Sequence, residues 1–206
     1  MNSENGLKTA ESLEEKVDQY RLSPEEFIRL RRTSPMAYVF DLRQPEVYES
    51  GSIAGSYNLP FTLMADNLHR LPFSGDMLFH DDGEGVAAQA MLILEENGMS
   101  DFFYVEEGYQ ALLKAMEDDP EEVNYTKLSP EERSKAVEAV LDDKVREFLA
   151  RDGGGLEVMA IEGDQITVAY QGACGGCASS TEGTLRFIQT TLTNALNHPI
   201  TVIPVE

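Results

Sequence analysis

Gly172-Ala173-Cys174-Gly175-Gly176-Cys177-Ala178-Ser179-Ser180 holds both cysteines of the 206-residue chain. Two thiols three positions apart in a glycine-rich turn make a soft-metal site or a redox pair. Thiolates select zinc, copper(I) and iron–sulfur clusters over hard cations. A cubane cluster and a Cys-only zinc site each take four thiolates, so one copy of this chain closes neither. The missing half then comes from a second chain, most simply the same pair across a two-fold axis. Gly172, Gly175 and Gly176 let backbone approach a bulky guest. Ser179 followed by Glu182 has the spacing of a capping box, whose helix would turn its positive end toward Cys177 and favour the thiolate.

Working outward, the spacing predicts a helix over Pro130 to Ala150 with Val137, Val140, Leu141, Val145, Phe148 and Leu149 on one face. Gly153-Gly154-Gly155 ends it. Strands are expected over Leu156–Ile161 and Gln165–Gln171, joined by Glu162-Gly163-Asp164. A second helix follows Ser180 and buries Leu185, Ile188, Leu192 and Leu196, and Ile200 to Val205 forms a last strand. The cysteine loop thus joins a strand to a helix in a small α+β domain.

Arg151-Asp152-Gly153-Gly154, two strands, the cysteine loop and Thr184-Leu185 together resemble the NifU C-terminal (Nfu-type) domain, from about Ser134 to the C-terminus. Ala178 stands where that family usually has proline, and Gly155 where it often has an acidic residue or Asn. The resemblance implies that Cys174 and Cys177 ligate a 4Fe–4S cluster shared by two subunits of a homodimer, which passes the cluster to apo iron–sulfur acceptor proteins. Two other readings remain open at the level of the residues. One is a thiol–disulfide oxidoreductase using the Cys-x-x-Cys pair, against which no Trp precedes Cys174. The other is a structural zinc clip holding a dimer.

The first half of the chain alternates strands and helices. Ser23-Pro24-Glu25-Glu26 opens a helix. Ala37-Tyr38-Val39-Phe40, Met77-Leu78-Phe79 and Phe102-Phe103-Tyr104-Val105 read as strands, and Val86 to Glu96 as a helix. This pattern predicts a parallel sheet covered on both faces. Leu13, Val17 and Tyr20 make at most one short amphipathic face, with a frayed tail as the equal expectation.

Asp41-Leu42-Arg43-Gln44-Pro45 leading to Gly51-Ser52-Ile53-Ala54-Gly55 and Asn58-Leu59-Pro60 resembles the rhodanese signature over about Tyr20 to Met116. The resemblance implies a loop, after a strand, whose amides hold a catalytic cysteine. Here that loop reads His80-Asp81-Asp82-Gly83-Glu84-Gly85-Val86, with His80 in the nucleophile's place. Persulfide chemistry needs a thiolate in electropositive surroundings, and this loop has neither. The domain is therefore expected to be a degenerate rhodanese fold kept for docking or stability, and the protein not an enzyme. The loop is expected to be solvated, and His69 and His198 structural.

The expected organisation is α/β: an N-terminal tail at 1–18, a rhodanese-like parallel sheet flanked by helices at 19–117, an acidic linker at 118–129 and a small α+β NifU-like domain at 130–206. The formal net charge of −21 excludes nucleic acid as the partner. It is uneven: residues 1–130 carry 25 acidic against 10 basic side chains, and residues 131–206 carry 12 against 6. No apolar run reaches membrane-spanning length and the N-terminus has no secretory core, so a cytoplasmic protein is expected. The rhodanese-like part is expected to bind a protein: a cysteine desulfurase, another assembly factor, an acceptor or its own C-terminal domain.

Overall fold

A computed structural model describes residues 16–151, 153–172 and 178–205. Its contacts divide the chain into two compact units, Met1–Leu30 with Tyr38–Ser52 and Ser56–Asp119, and Arg31–Ala37 with Ile53–Gly55 and Pro120–Glu206.

The first sheet has the order β1-β5-β4-β2-β3, with β1 Arg21–Leu22, β2 Ala37–Asp41, β3 Tyr57–Asn58, β4 Asp76–His80 and β5 Phe102–Val105. Pairing is parallel at β1/β5, β4/β5 and β2/β3. The connecting helices are α1 Pro24–Thr33, α2 Pro45–Ser50, α3 Phe61–Asn67, α4 Val86–Glu96 and α5 Gly108–Asp118. The central strands β2 and β4 are almost wholly buried, as the unbroken apolar runs of a sheet covered on both sides require. Phe40 and Phe79 stack at 5.0 Å within this core. The edge strands β1 and β3 have two residues each, too few to leave a hydrophobic period in the sequence.

The chain entering β1 is tied down. Val17 is buried in the core and Tyr20 packs on Phe102 at 4.4 Å. Two members of the Val17–Tyr20 face therefore belong to the domain; Leu13, and the tail before it, lie outside the described residues.

The second sheet has the order β6-β7-β8: β6 Gly154–Glu162 and β7 Gln165–Gly172 antiparallel, β7 and β8 Thr201–Pro204 parallel. Ile166, Val168 and Val202 face helices α6 Pro130–Val140, α7 Glu147–Arg151 and α8 Ala178–Leu196 across a core that includes Leu156, Ile188 and Leu192. A capping box opens α6: Ser129 Oγ accepts from the Glu132 amide and the Glu132 carboxylate accepts from the Ser129 amide.

The expected single helix over 130–150 departs from α geometry at Leu141–Arg146, a π-helical stretch between α6 and α7. The buried residues explain it. Val137, Leu141, Val145 and Leu149 recur every fourth position. At about 100° per residue an α-helix would rotate such a row about 40° at each step. A wider π turn brings the row back onto one face.

Tyr125, inside the acidic stretch 118–129, is 1% exposed. Its ring stacks on His198 at 5.2 Å and lies under the Arg133 guanidinium at 4.8 Å, while its hydroxyl donates to the Gly163 carbonyl at 3.0 Å. The tether expected there is thus anchored in the second core before α6 begins. His198 is structural, as expected, with its Nε2 2.8 Å from Asp164 Oδ1. Replacing Tyr125 with Ala removes a buried ring and a hydrogen bond. It should lower the stability of the second unit by about 3 to 5 kcal/mol in denaturant titration, whereas a loss within about 0.5 kcal/mol would mean an unanchored linker.

Candidate functional site

Two places hold chemistry-bearing residues: the loop after β4 and the turn between β7 and α8. In the first, β2 delivers Asp41, fully buried, to the C-terminal end of the sheet. Arg43 grips it as a fork, with Nε 2.9 Å from Oδ1 and Nη2 2.6 Å from Oδ2. The same guanidinium donates to the Gly51 carbonyl at 2.8 Å and lies 3.8 Å from the centre of the Tyr109 ring. Arg43 thus ties β2, the turn after α2 and the start of α5 together.

His80, the last residue of β4, is 0% exposed. Tyr109 stacks on its ring at 5.9 Å and Phe27 meets it edge-on at 6.3 Å. Its Nε2 lies 3.7 Å from Asp41 Oδ2, beyond hydrogen-bond range, and neither ring nitrogen has a partner among the described residues. Burial holds its pKa below the ordinary histidine value; Asp41 pulls the other way and Arg43 reinforces the lowering. The ring is a neutral core side chain.

Asp81 is also buried, and its carboxylate accepts from the amides of Gly83 at 2.6 Å, Val86 at 2.7 Å and Ala87 at 3.0 Å. These amides belong to the loop and the first turn of α4, where a helix start favours an anion. The loop has therefore wrapped round its own carboxylate. Asp82 and Glu84 are exposed, as a solvated loop predicts, but His80 and Asp81 are not. The sequence shows acids in the loop without showing which one turns inward. Gly108 completes the closure: at φ +77° it lies so close that a Cβ there would sit 2.3 Å from the Gly83 amide nitrogen, and the Tyr109 amide donates to the Asp81 carbonyl at 2.8 Å.

Cys174 and Cys177 lie outside the described residues. The elements that present them are described: β7 ends at Gly172 and α8 begins at Ala178. In sequence the pair thus falls between the end of a strand and the start of a helix. α8 begins within one residue of Ser179, and the side-chain contacts of the expected Ser179–Glu182 capping box lie outside the described residues. Gly172 pairs with Gly154 at φ +67°, and a Cβ on it would lie 2.4 Å from the Gly153 carbonyl oxygen. Only glycine lets the hairpin close there and launch the turn. Among the described residues no cluster of three or more His, Cys, Asp or Glu is arranged to hold a metal ion. No helix among them is long and apolar enough to cross a membrane.

The His80 environment carries a pH signature. The unfolded chain takes up a proton on this residue below about pH 6.5, while the folded state resists it. Stability is full above that pH and falls as the pH drops below it. The His80→Leu variant should lose this part of the slope. Denaturant unfolding of both proteins from pH 7.5 to 5 reads the difference, and parallel curves would mean that His80 titrates in the native state as it does in the unfolded chain.

Comparison with known proteins agrees with this division. The rhodanese-like domain family matches residues 23–115 and the NifU-like domain family residues 137–203. The nitrogen fixation protein NifU of Cereibacter sphaeroides is 37% identical over 87 residues, covering 42% of this chain and 35% of that protein. Nitrogen fixation protein NifU 1 of Rhodobacter capsulatus is 32% identical over 90 residues, covering 44% and 65%. NifU of Trichormus azollae is 39% identical over 66 residues, covering 32% and 22%. The chain thus spans between 22% and 65% of the length of these three relatives. Among solved structures, a rhodanese-related protein from Thermoplasma volcanium is 22% identical, covers 48% of this chain and 94% of its own, and superposes with a TM-score of 0.42. The chain therefore joins a rhodanese-like domain at residues 23–115 to a NifU-like domain at residues 137–203.

Proposed function

We propose that this protein carries an iron–sulfur cluster and hands it to apoproteins. Cys174 and Cys177 of two copies hold one 4Fe–4S cluster near a two-fold axis. The observation that carries the reading is that the NifU-like match, 137–203, spans the Cys-x-x-Cys pair, which falls in sequence between β7 and α8. The donor set supports it: two thiolates per chain are half of what a cubane takes. The start of α8, directly after Cys177, adds a partial positive charge that favours thiolates over thiols and suits an anionic cargo.

Transfer proceeds by ligand exchange. A thiolate of the acceptor binds an iron as one of the four cysteine sulfurs leaves, so the ligand count is kept and no electron is moved. After repeated exchanges the cluster rests on the acceptor and the two copies separate. In this reading the protein is cytoplasmic and is a carrier, not an enzyme. The rhodanese-like unit serves as a docking module for a cysteine desulfurase, another assembly factor or an acceptor. Its closed loop supports that assignment, because the amides that would receive an anion already bind Asp81.

Anaerobic reconstitution with iron and sulfide should give about four irons and four acid-labile sulfides per two chains. Either Cys174→Ser or Cys177→Ser should lose cluster and transfer together, and a full cluster on the Cys174→Ser protein would defeat shared ligation. Labile sulfide separates this reading from a zinc clip and from a dithiol oxidoreductase, neither of which contains any. For the first unit, His80→Cys alone should show no thiosulfate sulfurtransferase activity, because the loop amides stay bound to Asp81. Turnover by that single variant would mean that the loop opens to anions.

A further inference from the structure

The last residues of α8, Thr191 to Leu196, are all buried. At about 100° per residue such a run points in every direction round the helix, so this end of α8 is covered on all sides. Leu192 and Leu196 belong to the second core. Asn194, about 200° round from Leu192, points the other way, where an amphipathic helix meets water. It is nevertheless 3% exposed, and Thr191 and Thr193 beside it are 4% exposed. A buried polar face needs hydrogen-bonding cover, and here the cover comes from far earlier in the chain. Arg31–Ala37 lies within the rhodanese-like match yet packs as part of the second unit, as does Ile53–Gly55. Asn194 Nδ2 donates to the Ala37 carbonyl at 2.8 Å and Thr191 Oγ1 to the Pro35 carbonyl at 3.2 Å. Gly55 fits so tightly that a Cβ on it would lie 2.7 Å from Thr193 Cγ2.

The start of the same segment carries charge. Arg31 is fully buried, with Nη1 2.9 Å from Glu122 Oε1 and Nη2 3.0 Å from Asn197 Oδ1. Arg32 donates to the other Glu122 oxygen at 3.1 Å and to Glu121 at 2.7 Å. The Lys144 ammonium, in the π-helical stretch, donates to the Arg32 carbonyl. Asn197 follows the last residue of α8 at φ +46°, the left-handed conformation common where a helix stops. Arg31 therefore holds the end of α8 and the acidic stretch before α6 at once.

We propose that Arg31–Ala37 is a strap that completes the fold of the second unit, fastened by the buried Arg31–Glu122 pair, so that the NifU-like domain of this chain is not an autonomous module. Breaking one side of a buried ion pair leaves the other charge without a partner, which costs more than replacing both by apolar groups. The strap is thus held or released as a whole, and its release exposes the polar face of α8 and frees Glu121 and Glu122. In sequence α8 starts directly after Cys177, so the strap is also a positioning element for that helix. The proposal stands apart from what the cysteines bind, and each of its readouts is taken without metal.

Hydrogen exchange read by mass spectrometry, and native cleavage by a glutamate-specific protease, test this on the 206-residue apo-protein. In the wild type the end of α8 should exchange slowly and the chain should resist cutting at Glu121 and Glu122. Arg31→Met should speed both exchange at Thr191 to Leu196 and cutting at Glu121–Glu122 at least about tenfold, while β4 exchanges as in the wild type. Arg31→Met combined with Glu122→Leu should regain most of the protection in α8. Arg31→Lys keeps the charge without the fork and should fall between wild type and Arg31→Met; it replaces Arg31→Met in the same readings if that protein does not fold. Wild-type exchange and cutting in the Arg31 variants overturn the proposal, as does loosening of β4 equal to that of α8, which would assign Arg31 to the first unit. A double variant no better protected than Arg31→Met removes the fastening role of the pair.

Discussion

Three amides, of Gly83, Val86 and Ala87, converge on the Asp81 carboxylate at 2.6 to 3.0 Å, and the architecture of the first unit follows from that convergence. A charge-assisted hydrogen bond contributes about 1.5 to 3 kcal/mol, so three of them hold the loop closed. With Asp81 pinned under α4, the preceding residue, His80, stays within the core at the end of β4. Its ring is left between Tyr109 and Phe27, with no hydrogen-bond partner within range of either nitrogen among the described residues. Burying those nitrogens is unfavourable, and the neutral ring lessens the cost by avoiding a buried charge. Gly108 then has no alternative, because the loop backbone occupies the space of any side chain there.

That arrangement also shows where sequence reasoning stops. The strand and helix pattern was legible because β2, β4 and β5 are dominated by apolar runs, and because the apolar residues of α4 fill it from Val86 to Leu94. The capping box at Ser129 and Glu132 was legible because it is local. Burial of Asp81 was not, since an acid next to other acids reads as solvent-facing until the amides that receive it are placed in space. The anchoring of Tyr125 was hidden for the same reason: its partners Gly163 and His198 come from far along the chain. The π turn was present in the sequence as a four-residue spacing, which a helical period tolerates over two turns and not over four. The cysteine pair was the reverse case. Its spacing was legible at once while the choice among metal, cluster and redox chemistry was not, and the structure adds the strand before it, the helix after it and the need for glycine at position 172.

The two units are furnished differently. In the rhodanese-like unit the amides of the loop after β4 are satisfied from within the chain, by Asp81. The NifU-like match, 137–203, contains both cysteines of the chain, and on the proposed carrier reading two such pairs complete one cluster. The proposed division, in which one unit docks and the other carries, rests on that contrast.

A long open sheet edge templates a continuous ladder between copies of a chain. The described edges do not offer one. β1 and β3 have two residues each, and β8 has four and ends in Pro204. The nine-residue edge β6 is broken by a register shift between Val158 and Ala160, with Met159 bulged and 55% exposed. A bulge twists an edge out of pairing geometry. Among the described strands, then, neither sheet presents the long flat edge that would pair one copy with another.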